Sequence, residues 1–220
     1  MGQQTVVVVA GGERASGAAP ALPAGAVIIA ADSGVDHAHA LGLRVDVAVG
    51  DFDSISAEGL QRAIAEGARV ERFPEDKDKT DLELALDEAL AIGAADIVVL
   101  GAGGGRLDHL LANMLLLASP RFATCRVTAL DGATRVHVVH AGPVPTPLPG
   151  RSGELLTLLP VGGDAAGITT HGLQYPLCKE TLAAGSSRGV SNVVHDADAS
   201  VQLDDGVLLA VFPGEGETNA

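Results

Sequence analysis

Four turns in this 220-residue chain carry residues able to do chemistry. Three are rich in carboxylates: Asp32-Ser33-Gly34, Gly50-Asp51-Phe52-Asp53-Ser54, and Glu75-Asp76-Lys77-Asp78-Lys79-Thr80-Asp81. The fourth, Gly101-Ala102-Gly103-Gly104-Gly105-Arg106-Leu107-Asp108-His109, joins a glycine run to an arginine. Asp51 and Asp53 are spaced i,i+2, so an extended turn aims both the same way and sends Phe52 inward. Paired hard oxygens of this kind suit Mg²⁺, which takes one or two carboxylates and fills its other positions with water and phosphate oxygens. An Asp-rich turn that merely caps Ser54 or the next helix reads the same way. Asp81 falls in the first turn of a helix opened by the Thr80/Glu83 capping box, a place the helix dipole favours for a carboxylate. The mixed charges of Asp76, Lys77, Asp78 and Lys79 allow either metal and polyphosphate contacts or a solvated face. Glycines before a helix let backbone N–H groups approach an anion, and Arg106 adds a fixed cation there. The run matches neither GxGxxG nor GxxxxGK[ST].

These turns need a frame to bring them together. Apolar, Val/Ile/Leu-rich runs predict strands at 5–9, 26–30, 45–49, 69–73, 96–100, 126–130 and 135–140. Helical patterns fall between them at 34–41, 56–66, 80–92 and 107–118, with Leu82, Leu86, Ala89 and Leu90 on one face of the third. Alternation of this kind predicts an α/β fold: a Rossmann-like, mostly parallel sheet with helices on both faces, over residues 1–140. Ligands of such sheets bind outside the carboxyl ends of the strands. Each of the four turns follows a predicted strand, so all should converge on one rim. Residues 141–153 carry four prolines in thirteen positions and read as a linker. From 154 to 220 the runs are short and separated by Gly and Pro signals, as expected of a small all-β, sandwich-like domain.

Composition removes several classes. Acidic residues outnumber basic ones 28 to 14, a formal net charge of −14, and the three lysines (Lys77, Lys79, Lys179) form no cluster. That argues against nucleic acid, whose backbone is bound through lysine and arginine. Four Phe and one Tyr are too few for a base-stacking platform. No apolar run approaches the roughly 20 residues of a membrane span, and no signal-peptide pattern opens the chain. Cys125 and Cys178 stand alone, and His37, His39, His137 and His140 form no ligand pattern. A cytoplasmic, Mg²⁺-dependent enzyme acting on a nucleotide polyphosphate is the expectation from the residues alone.

At these positions the sequence resembles the thiamine pyrophosphokinase family, over nearly the whole chain. The family's Asp-x-Gly turn, Gly-Asp-Phe-Asp-Ser turn, Asp-x-Thr-Asp helix start and Gly-Arg-x-Asp helix start stand here in order. They are Asp32-Ser33-Gly34, Gly50-Asp51-Phe52-Asp53-Ser54, Asp78-Lys79-Thr80-Asp81 and Gly105-Arg106-Leu107-Asp108. The segments Thr169-Thr170-His171-Gly172-Leu173-Gln174-Tyr175-Pro176-Leu177 and Gly189-Val190-Ser191-Asn192 resemble its thiamine-binding β domain. The resemblance implies pyrophosphoryl transfer from ATP, the co-substrate, to thiamine. It implies Mg²⁺ on Asp51, Asp53 and Asp81, with Asp32 and Asp78 completing the acidic rim. Gly105, Arg106 and Asp108 would position the nucleotide, and Tyr175, Ser191 and Asn192 would bind thiamine. It also implies a homodimer with shared active sites. Departures are modest: Tyr175 where some relatives carry Trp, Gln174 for a common Lys, Ser33 for a frequent Gly, and Val45 where Pro is common. Rival readings are a pyrophosphokinase acting on another primary alcohol, such as a hydroxymethylpterin, and a non-catalytic thiamine or nucleotide sensor.

Overall fold

A computed structural model describes residues 4–12, 21–103 and 105–214. Gly104 of the glycine run and both chain ends lie outside the described residues. The chain divides into two compact units, one of Met1–Leu116 with Ala129–Gly132, the other of Leu117–Thr128 with Ala133–Ala220.

The first unit is the α/β part. Its elements are β1 (Thr5–Val9), β2 (Val27–Ala31), α1 (Gly34–Ala40), β3 (Val47–Gly50), α2 (Ala57–Ala65), β4 (Arg69–Arg72), α3 (Asp81–Ala91), β5 (Asp96–Leu100) and α4 (Leu107–Leu117). The strands lie in the order β5-β1-β2-β3-β4, every pairing parallel. The valine run of β1 is buried from Val6 to Val9, as a strand covered on both faces must be. Charged Arg69, Glu71 and Arg72 are affordable in β4 because it is an edge. Thr80 caps α3 as its sequence predicts, accepting from the Glu83 N–H at 3.2 Å. Leu82, Ala85, Leu86 and Ala89 form the buried face of that helix.

The second unit is all-β apart from a short 3₁₀ turn at Pro120–Phe122. The strand β6 (Arg126–Asp131) is divided between the units. One antiparallel sheet joins β7 (Thr134–His140), β14 (Val207–Phe212), β9 (Leu155–Pro160) and β12 (Asn192–Val193). A four-stranded sheet holds β11 (Glu180–Leu182), β10 (Ala165–His171), β13 (Ser200–Gln202) and β8 (Thr146–Pro147). Leu156, Leu158 and Phe212 of the first sheet and Ile168, Leu182 and Val201 of the second share one buried core.

Two expectations change. The mostly parallel description holds for the first unit alone, because β7 pairs antiparallel with β14, from Val207 opposite His140 to Phe212 opposite Arg135. A buried apolar run reads identically in either direction, and its partner here lies about seventy residues away in sequence. The proline-rich stretch is also more than a linker: it contributes β8 and the buried Leu148. β8 is the edge of its sheet, where a missing proline N–H costs no ladder bond.

Candidate active site

The carboxyl ends of β1 to β5 open into one cavity of about 560 Å³. Ala10, Gly11 and Gly12 follow β1; Asp32 and Ser33 follow β2; Asp53 and Ser54 follow β3; Thr80 and Asp81 open α3; Gly103, Gly105 and Arg106 follow β5. The strand order turns back at β1, so this is the crevice where an open parallel sheet leaves room for a ligand. Gly34 is required by a close approach, since a Cβ there would stand 2.2 Å from the Val9 carbonyl oxygen. That contact explains the Asp-x-Gly spacing: the chain must leave β2 pressed against the end of β1.

Asp32 is buried at 7% exposure, with φ of 47°. Ser54 donates to its Oδ2, while its Oδ1 is buried without a hydrogen-bond partner. Phe52 sits at φ 64°, a strained conformation for a bulky residue. Packing holds it there: its ring lies against the core, and the Arg72 guanidinium stacks 4.8 Å above it. The kink turns Asp51 and Asp53 toward Asp32, and oxygens of all three carboxylates lie within 4.8 Å of one another. Gly50 allows Asp81 to join them, because a Cβ there would meet the Asp81 Oδ1 at 3.1 Å and the Asp32 Cβ at 3.2 Å.

Lys77 was one residue among many in a charged loop by sequence, yet its ammonium lies inside this group. It pairs with the Asp51 Oδ2 and, at 3.0 Å, with the Asp81 Oδ1. The hydrogen bond from Lys77 holds the Asp51 carboxyl below the usual range. Asp53 is pushed up by the charge of Asp51. Asp81 is pushed up by burial, with Lys77 opposing. Burial works against the Lys77 ammonium, but Asp51 and Asp81 together outweigh it and raise the group. The donor set fits a hard divalent cation: carboxylate oxygens only, one of them orphaned on Asp32, around a place already attractive to positive charge.

Arg106 lines the cavity and holds Asp108 through two hydrogen bonds of 3.2 and 2.6 Å. That pairing keeps the Asp108 carboxyl near 2. In the second unit, Tyr175 presents its ring to solvent at 60% exposure. The buried Asn192 fastens it from behind. The Asn192 Oδ1 accepts from the Tyr175 N–H at 3.1 Å, and its Nδ2 donates to the Tyr175 carbonyl at 2.8 Å. Oδ1 also accepts from the Val193 N–H at 2.8 Å. Ser191 has φ of 60°, and its N–H donates to the Thr157 Oγ1 at 3.1 Å.

Comparison with known proteins decides what this arrangement belongs to. Residues 21–129 match the model of the thiamin pyrophosphokinase catalytic domain, and 145–208 match that of the thiamin pyrophosphokinase vitamin B1 binding domain. The chain belongs to the thiamine pyrophosphokinase family. The thiamine pyrophosphokinase of Bacillus subtilis is 27% identical over 164 residues, covering 74% of this chain and 76% of that protein. Thiamine pyrophosphokinase 1 of Arabidopsis thaliana is 29% identical over 180 residues, 76% of this chain and 64% of the plant protein. The crystal structure of the Bacillus subtilis protein superimposes with a TM-score of 0.84 at 26% identity, covering 97% of this chain and all of that one. The crystal structure of the Geobacillus thermodenitrificans thiamin pyrophosphokinase reaches a TM-score of 0.81 at 28% identity over 99% and 100% of the two chains.

Of the residues that the family motifs single out, Asp32, Asp51, Asp53 and Asp81 are gathered by the fold, and Gly105 and Arg106 line the same cavity. Asp78 is exposed in its loop and does not line the cavity, and Asp108 reaches it only through Arg106. Tyr175, Ser191 and Asn192 form one neighbourhood of the second unit. Sequence reading missed Gly11, Gly12 and Asn113 as lining residues, and it gave His109, at the end of the glycine-rich turn, no role of its own. The rule that found the other turns would have found the first two, since they follow the first strand. The other two lie one helical turn apart on α4.

Proposed function

We infer that the chain is a thiamine pyrophosphokinase, moving the pyrophosphoryl group of ATP to the hydroxyethyl oxygen of thiamine and releasing AMP. The observation that carries this is the convergence of five strand ends on one acidic cavity, in a chain whose motifs are those of the family. The acidic cavity takes ATP with Mg²⁺, which would be held by Asp51, Asp53 and Asp81, with Asp32 beside them. A bound Mg²⁺ supplies charge neutralisation between these carboxylates and the phosphates. Arg106, oriented by Asp108, binds phosphate oxygens, and Gly105 lets the backbone approach them. Asp78, exposed in the loop before α3, adds to the acidic charge of that segment. Such transfer needs positioning and charge control far more than covalent help.

The second unit supplies the thiamine platform in this reading. Tyr175 offers its face to the cationic thiazolium ring, Ser191 offers its hydroxyl, and Asn192 acts by fixing the Tyr175 backbone. The parallel half is taken as a Rossmann-like nucleotide domain, supported by its four parallel pairings. The enzyme is taken as a cytoplasmic homodimer; among the described residues no helix is long and apolar enough to cross a membrane. Light scattering checks the dimer.

Phosphorus NMR of the protein with Mg-ATP, with and without thiamine, tests the reaction. Thiamine-dependent AMP and thiamine diphosphate are expected. ADP as the product would overturn pyrophosphoryl transfer. Turnover with a hydroxymethylpterin but not thiamine would move the substrate, and thiamine binding without turnover would make the chain a sensor.

A further inference from the structure

We propose that Lys77 is a resident stand-in cation: its ammonium clamps Asp51 and Asp81 in the metal-free enzyme and gives up both carboxylates when a divalent metal enters. This rests on the metal assignment of the reading above. The Lys77 side chain is only 12% exposed, and its two partners are 13% and 26% exposed. A lysine ordinarily keeps its charged head in water, so an ammonium drawn this far in has been recruited by the carboxylates around it. The neighbouring cations are committed elsewhere among the described residues. Arg72 donates to the Asp51 backbone carbonyl at 2.8 Å and stacks on Phe52. Lys79 pairs with Asp87 at 2.7 Å, and Arg106 pairs with Asp108. Lys77 alone among them meets the side chains of the rim.

The ammonium suits a temporary tenancy. It has three donors on a flexible stem and no fixed plane, so it can leave without dismantling a bidentate fork. It is also an incomplete partner. With Lys77 in place, the Asp32 Oδ1 stays buried and unpartnered, and among the described residues Asp53 has no cation beside it, its neighbours being Asp51, Asp32 and Glu75. A divalent ion, with about six oxygen ligands, can collect more of the same oxygens at twice the charge. The clamp spares the rim the repulsion of four converging carboxylates, and its cost is competition with bare metal. Metal that arrives already carrying nucleotide phosphates overcomes that competition, because the phosphates add ligands the ammonium cannot match.

Mn²⁺ alone, followed by the loss of its free electron-paramagnetic signal, tests the exchange without ATP or thiamine. Wild-type protein should bind weakly. Lys77→Met should bind Mn²⁺ about tenfold more tightly, because a competing charge is gone. In EDTA its Tm should fall by several degrees, and Mn²⁺ should restore it. Equal or weaker binding by Lys77→Met would mean that Lys77 positions the carboxylates rather than competing for them, and the proposal fails. If Lys77→Met does not fold, Lys77→Arg decides: a bidentate guanidinium should hold the carboxylates harder and weaken Mn²⁺ binding, and unchanged affinity overturns the idea. Absence of Mn²⁺ binding by every variant overturns it too. None of these outcomes depends on AMP formation, so failure of the thiamine reading would show separately.

Discussion

In the first unit, the segments that follow β2, β3 and β4 deliver carboxylates that repel one another, and an internal ammonium together with a strained turn at Phe52 holds them in place. In the second, an exposed aromatic ring is pinned by one buried amide that closes both polar groups of the Tyr175 backbone. The first site is assembled against its own electrostatics and is complete only when more positive charge arrives. The second is satisfied as it stands, and what it leaves unpaired is a ring face. On the proposed reading, charge governs chemistry in one region and hydrogen-bonded shape governs recognition in the other. Substitutions should separate the two.

The largest effect is expected at Asp51. Asp51→Asn removes the charge of a proposed metal ligand from the rim while preserving its shape, and turnover should fall on the order of 10³-fold. The fold should persist by circular dichroism, and thiamine binding should survive. The chain contains one tyrosine and no tryptophan, so tyrosine fluorescence reports Tyr175 alone. Quenching by thiamine should be the same in Asp51→Asn and wild type. Loss of quenching would mean that the regions are not separable, and near-normal turnover would remove Asp51 from the proposed metal site.

Asn192→Ala should invert that pattern. It leaves the half-buried N–H and carbonyl of Tyr175 without their side-chain partner, and the thiamine dissociation constant should rise roughly thirtyfold, equivalent to about 2 kcal/mol. The KM for ATP should not move. Asn192→Asp keeps both acceptor bonds and loses the donor, so it should fall between. A KM for ATP that rises in parallel would argue for general loosening instead of a fault in the platform.

Legibility followed the same division. The acidic turns could be read because each follows a strand, and parallel sheets expose strand ends on one side. Thr80 and Glu83 announced α3 because a capping box is local. Lys77 could not be placed, since its contact with Asp51 spans 26 positions and depends on where the loop after β4 folds. Asn192 was read as a ligand through resemblance, but its side chain is largely committed to the chain itself. The direction of β7 and the strand hidden among the prolines were set by partners distant in sequence.

Stability against acid should reveal the second unit first. Burial, reinforced by Arg135, lowers the His137 imidazole from 6.5 to about 4. Its Nδ1 meets the Thr128 hydroxyl at 3.0 Å, and its Nε2 is buried without a hydrogen-bond partner. The unfolded chain binds this proton more readily than the folded one. Stability is therefore complete above pH 6.5, declines as pH falls through that value, and stops declining from this source below about 4. The loss at pH 5 should be on the order of 2 kcal/mol. Asp51, held below 3.8 through Lys77, contributes stability that is lost only at lower pH, so the windows do not overlap. His137→Phe should flatten the upper limb in denaturant titrations, and an unchanged limb would assign it to other groups.

The smallest effect joins structure to site within the first unit. Thr80 caps α3 and lines the cavity, one position before Asp81. Thr80→Ala should cost about 1 kcal/mol, the ordinary value of an N-cap, and lower Tm by about 2–4 °C. Thr80→Ser keeps the oxygen that accepts from the Glu83 N–H and should recover most of that loss. If capping were all that Thr80 does, activity would be indifferent to either change at a temperature where both variants are folded. Fraying the first turn of α3, however, frees Asp81 from the position that Gly50 and Lys77 define for it. Turnover in Thr80→Ala should therefore drop several-fold while Thr80→Ser stays near wild type, and Tyr175 quenching by thiamine should be indifferent to both. Equal turnover in the two variants would show that Asp81 is held by its charge partners alone, without help from the cap.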